Sequence, residues 1–225
     1  SQLKDYCKHV ADLVPLGYNP ESGQMDLADL ESKVSSDTAA IVVENPSYLG
    51  FLEEQVQQVS DLAHKNGALS VVSVDPSSLG LLKPPVEYGA DIVCGELQPL
   101  GIHMNYGGGL SGFIATRDDP RFIMEYPTHL YGITSTNTPG EYGFGRALME
   151  RTGYVGRENA REYLGTGTAL WAITAGVYLA LMGPEGMREL GESIALKCRY
   201  AIKRLSEIPG VTVPRLKSPC FKEFV

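Results

Sequence analysis

The segment ADIVCGELQPLGIHMNYGGGLSGFIATR, residues 90–117, decides the reading of this chain. It opens with a short apolar run (90–94), passes through a polar loop holding Gln98, and reaches three consecutive glycines at 107–109. A second apolar run follows at 112–116. Runs of four to six small and branched residues bounded by turn formers are the mark of buried strands.

The same pattern recurs earlier in the chain. Residues 38–43 and 68–74 are further branched apolar runs, read as strands buried on both faces, and they end at Glu44-Asn45-Pro46 and Asp75-Pro76. Between them, residues 54–66 carry Val56, Val59, Leu62 and Ala63 at helical spacing, with Gly67 suited to the C-cap. Upstream, a short strand near residue 14, a turn at 19–23 and a helix from about Asp26 are expected. Strands alternating with helices at this spacing predict an α/β fold with a three-layer, mostly parallel sheet. Residues 117–166, dense in Tyr, Thr, Gly and Pro, read as an ordered loop or hairpin.

The C-terminal third is helical. Residues 167–183 hold no charge over seventeen positions, just short of a membrane span, and their small residues fit a buried core or subunit-interface helix. Residues 185–208 form an amphipathic helix with Met187, Leu190, Ile194, Cys198, Ala201 and Leu205 as its stripe. A strand is expected at 211–213. This divides the chain into 1–183, part of a large domain, and 184–225, a linking helix and the first strand of a smaller one.

Composition narrows the function. A net charge of −8 gives no basic stripe for nucleic acid. Cys7, Cys94, Cys198 and Cys220 are far apart in sequence, which fits reduced thiols in a cytoplasmic protein. His9, His64, His103 and His129 show no metal-ligand spacing. Arg151 and Arg157 flank Tyr154 and could bind an anion, although helix-surface arginines are the default.

Ligands in parallel sheets bind beyond the carboxyl ends of the strands, where Glu44, Asp75 and Gln98 fall. An aspartate after such a strand can hold the proton of a pyridinium nitrogen, or merely cap the next turn. Twenty-three residues on, where an enzyme of this architecture carries a Schiff-base lysine, stands Gln98, which has no amine nucleophile. Lys83 is the one lysine that sequence spacing offers as a substitute, and a solvated loop cation is its simpler reading.

These motifs carry a family resemblance. DLADLE (26–31), IVVENPSYLG (41–50), the block from Val74 through the glycines at 107–109, SGFIATR (111–117) and YLALMGPEGMREL (178–190) are similar to the glycine cleavage system P-protein family, in its subunit 1 branch. The resemblance implies the large domain of a fold-type-I pyridoxal phosphate enzyme. It implies a complex that decarboxylates glycine and passes the aminomethyl group to the lipoylated H-protein. It further implies that P-protein subunit 2 carries the Schiff-base lysine and the cofactor. Asp75 and Gln98 are then vestigial cofactor positions, with no catalytic residue on this chain. The sequence departs from the usual pattern at His103, at Gly107-Gly108-Gly109 and around 163–167. Two other readings stay open: an active fold-type-I enzyme of the aminotransferase kind, and a non-covalent small-molecule-binding module.

Overall fold

A computed structural model describes residues 2–106, 110–161 and 168–225. The glycines at 107–109 and the segment 162–167, both singled out in the sequence, lie outside the described residues.

Four strands form the main sheet: β1 (Ala40–Glu44), β2 (Leu69–Val74), β3 (Ile92–Glu96) and β4 (Gly112–Thr116), in that spatial order. β1, β2 and β3 run parallel, and β4 runs antiparallel to β3. The α/β class and mostly parallel sheet therefore stand as read. α1 (Gln2–Cys7) is a short leading turn, and α2 (Leu27–Lys33) starts where Asp26 accepts hydrogen bonds from the amides of Ala28 and Asp29. No strand forms near residue 14; that segment contributes only a bridge between Tyr18 and Met25 that closes the 19–23 turn.

α3 (Val56–Lys65) crosses from β1 to β2 and buries Val59 and Ala63 against Leu30, Ile41, Val43 and Ala68. A second cluster joins Val72 and Val74 to Tyr88 and Ala90. Each fully buried aliphatic side chain of this kind stabilises the fold by about 1.5–3 kcal/mol. Glu53, buried at the entry to α3, keeps its carboxylate satisfied by accepting from the amides of Met25 at 2.7 Å and Gln55 at 3.1 Å.

The strands are not buried on both faces. β1 alternates between exposed and buried residues, with Ile41 and Val43 under α3 and Val42 on the other side, 49% exposed. The register places Val42, Val71 and Ile92 in one row of that second face, and Ile114 on the same face is 47% exposed. The third layer is thus incomplete within the described residues. The sequence AIVV carries no polar alternation, so it could not reveal which face lacks cover.

Tyr88 supplies a pH handle on this core. Burial pushes its phenol from the ordinary 10.0 up to about 12, against a hydrogen bond from Asn45 that pulls the other way. A raised folded-state pKa means the unfolded chain releases the proton first. The associated stability is therefore intact below about pH 10 and lost as pH rises toward about 12. Tyr88→Phe removes this loss, so urea midpoints of the variant and parent should diverge between about pH 9 and about pH 11. Parallel titrations would disprove the assignment.

Past β4, α4 (Pro120–Ile123) leads to a hairpin of β5 (Leu130–Ser135) and β6 (Tyr142–Ala147), the form expected for this region. α5 (Ala169–Ser206) joins the two predicted helices, broken where Gly183 takes φ 60° and Pro184 removes a backbone donor. Its first half is not a core helix of this chain. Only Ala175 is buried there, while Leu170, Ile173, Val177 and Leu181 are exposed, Leu181 by 82%. The second half packs along the 3-10 turn at Pro76–Gly80, where backbone approaches so closely that a Cβ on Gly80 would strike the Met187 carbonyl.

The strand expected at 211–213 is absent. Pro214 has no N–H to donate, so a ladder cannot continue through it, and residues 211–213 run as irregular chain. The chain then returns to the body. Cys220 bridges Phe51, the Leu52 amide donates to the Pro219 carbonyl at 2.7 Å, and Phe221 is 1% exposed.

Candidate functional site

The carboxyl ends of β1, β2 and β3 open onto a cleft of about 1050 Å³. Glu44, Asp75 and Gln98, the three strand-end residues picked from sequence, all line it. Topology explains their meeting: parallel strands in register deliver their ends to one edge, and Glu44, Ser73 and Cys94 fall in one row across the sheet.

Asp75 does the two things open to it. Its Oδ1 accepts from the Ser77 amide at 2.9 Å and the Ser77 hydroxyl at 2.6 Å, capping the 3-10 turn. Its Oδ2 faces the cleft and accepts from Lys222 Nζ at 2.9 Å. Both oxygens are therefore engaged within the chain.

Lys222 was invisible to local pattern reading, since it lies 147 residues from its partner. Lys83, the lysine that spacing suggested, is exposed and does not line the cleft. Gln98 brings a carboxamide to the cleft wall, which can hydrogen-bond but cannot form an imine. Cys94 is half-buried, and desolvation holds its thiol above its ordinary value against a hydrogen bond from Ser73. It stays protonated at neutral pH and is no nucleophile there.

Among the described residues, the lining carries four carboxylates, Glu44, Asp75, Glu96 and Glu223, against the single ammonium of Lys222. Such a wall repels a phosphate monoester, and the one cation is already spent on Asp75. Pyridoxal phosphate needs an amine for its aldehyde, a free carboxylate for its ring nitrogen and donors for its phosphate. Among the described lining residues the amine is Lys222, and it is paired with Asp75, the carboxylate at the end of β2.

The other candidates serve the scaffold. Arg151 is 2% exposed and donates to the carbonyls of Met124 (3.1 Å), Thr128 (2.9 Å) and Tyr126, so it clamps a loop and is closed to ligands. Arg157 sits apart on an exposed 3-10 turn. His64 Nε2 lies 2.8 Å from Asp91 Oδ2, which also accepts from the Ser70 amide; Arg117 holds the other oxygen at 3.2 Å. That cluster ties the strands at the end opposite the cleft. His103 stacks edge-on against Trp171, and His129 lies against Tyr154.

The family described as glycine cleavage system P-protein matches residues 15–223. The chain belongs to that family. A protein of Staphylothermus marinus, described as "Probable glycine dehydrogenase (decarboxylating) subunit 1", is 41% identical over 209 residues, 93% of this chain and 44% of the relative. A Saccharolobus islandicus protein of the same description is 44% identical over 208 residues, 92% and 45% of the two chains. The chain thus spans under half the length of these P-protein relatives. A crystal structure of glycine decarboxylase (P-protein) in inhibitor-bound form superposes with a TM-score of 0.80 at 36% identity, over 97% of this chain and 48% of that one. A sphingosine-1-phosphate lyase from Burkholderia pseudomallei, at 17% identity and a TM-score of 0.59, covers 92% of this chain and 44% of its own; it shares the fold.

Proposed function

We propose that this chain belongs to subunit 1 of a two-subunit glycine decarboxylase and supplies its lysine-lacking half. The reading rests above all on Gln98, which reaches the strand-end cleft beside an Asp75 that already has its counter-ion. Two relatives at 41% and 44% identity that bear the subunit 1 name support it. In this proposal Asp75 and Gln98 occupy the positions a cofactor would use, and they no longer use them. Pyridoxal phosphate and the Schiff-base lysine belong to P-protein subunit 2. The assembly removes the carboxyl group of glycine as carbon dioxide and hands the aminomethyl group to the lipoylated H-protein. The setting is cytoplasmic, and residues 184–225 lead into a smaller second domain.

The surface that meets subunit 2 is, in this reading, the first half of α5. Leu170, Ile173, Val177 and Leu181 fall on one helical face and are exposed, an apolar stripe suited to a permanent interface. No helix among the described residues is long and apolar enough to cross a membrane.

The test is to assemble the complex with subunit 2, reduce it with borohydride and map the phosphopyridoxyl group by peptide mass. All label is expected on the partner subunit, and this chain alone should show no glycine-dependent exchange of carbon dioxide. Label on Lys222, the lysine among the described residues that lines the cleft, would overturn the proposal and favour an active fold-type-I enzyme.

A further inference from the structure

Cys198 and Cys220 come together although 22 residues separate them: their sulfurs stand 3.6 Å apart. Cys198 lies on the second half of α5 and is 6% exposed, whereas Cys220 is half-buried on the returning C-terminal segment. That segment is held on both sides of the cysteine. Pro219 accepts from Leu52, the Phe221 amide donates to the Gly50 carbonyl at 3.3 Å, and Lys222 reaches Asp75. The two thiols are thus fixed in contact by flanking structure, and neither Cys7 nor Cys94 shares the arrangement.

We propose that Cys198 and Cys220 form a site for reversible oxidation by a small-molecule disulfide, such as oxidised glutathione, yielding a covalent link between α5 and the C-terminal segment. The order of events follows from exposure. Cys220 is the more exposed residue of the pair, so its thiolate attacks one sulfur of the oxidant. A protein–glutathione bond forms, the oxidant's own bond breaks, and one glutathione leaves. Cys198 then attacks the Cys220 sulfur and expels the second glutathione. Two protein thiols are oxidised, one disulfide is reduced to two thiols, and the two thiol protons end on the two glutathiones. Burial supports this division of labour, because desolvation first and the neighbouring Cys220 second push the Cys198 thiol up to about 11, which disfavours it as the initial attacker.

Closing this loop removes freedom chiefly from the unfolded chain. It also pins the segment that carries Lys222 into the cleft, so oxidation fixes the cleft wall. The inference is independent of the proposed function, since it uses no cofactor or partner.

The experiment incubates the full chain with oxidised glutathione under native conditions, followed by intact mass and non-reducing peptide mapping. The parent should lose two hydrogens, yield a 198–220 cross-linked peptide and melt roughly 5 °C higher than the reduced form. Dithiothreitol should reverse both changes. Cys198→Ser should stop at a glutathione adduct on Cys220, and Cys220→Ser should take up neither adduct nor link. A parent that keeps the glutathione adduct, links through Cys7 or Cys94, or stays unmodified would overturn the proposal.

Discussion

Arg151→Ala is expected to destabilise the protein by about 3–5 kcal/mol, enough to unfold the region from α4 through β6. The guanidinium is enclosed and has the carbonyls of Met124, Tyr126 and Thr128 as its hydrogen-bond acceptors. Truncation removes three charge-assisted bonds and leaves three carbonyls without donors, each costing about 1–3 kcal/mol where water cannot reach. Relaxation of the loop recovers part of that sum. Since a domain's whole stability is about 5–15 kcal/mol, the effect consumes a large share of it. Arg151→Lys should recover little, because a single ammonium cannot span three acceptors that a planar fork reaches. Urea unfolding followed by circular dichroism measures this directly. A midpoint unchanged from the parent would mean the clamp contributes nothing.

Gly50→Ala is the second large effect. Gly50 has φ +88°, a backbone state costly for any residue with a Cβ. The added carbon would also meet the backbone carbonyl of Glu223 and the amide of Phe224. Backbone cannot move aside as a side-chain tip can, so the C-terminal segment must lift. Phe221 then leaves its pocket and Lys222 leaves Asp75. A cost of about 3 kcal/mol or more is expected, together with rapid proteolysis after residue 215. Gly67→Ala provides the control. Its φ is +78°, but nothing lies within 4 Å of the new carbon, so it should cost only about 1 kcal/mol. Equal losses at both positions would show that close approach at Gly50 plays no part.

Much of the fold could be read from residue order because its causes are local. Branched apolar runs placed three strands and helical spacing placed α3, the separate helical stretches 167–183 and 185–208 met at the break in α5, and turn-rich composition suited the β5–β6 hairpin. The meeting of Glu44, Asp75 and Gln98 was legible for a different reason: parallel topology sends every strand end to one edge. What stayed hidden depends on distance along the chain. The Asp75–Lys222 pair, the carbonyls gathered by Arg151 and the contact of Cys198 with Cys220 each join segments that no local period links. The expected strand at 211–213 failed on a local rule, since Pro214 sits where the ladder would continue. The uncovered sheet face was illegible because an unbroken apolar run looks the same whether one or both of its sides are packed.

The salt bridge between Asp75 and Lys222 also bears on how many changes a remodelled cleft would need. A counter-ion built into the same chain is present at a high effective molarity, which a metabolite dissolved in the cell does not match. An amine introduced at position 98 alone would leave the carboxylate still engaged and the acidic wall unchanged. Freeing Asp75 and lightening the negative wall call for further changes on β1, on β3 and in the C-terminal segment. The ion pair therefore acts as a lock that no single substitution at position 98 opens.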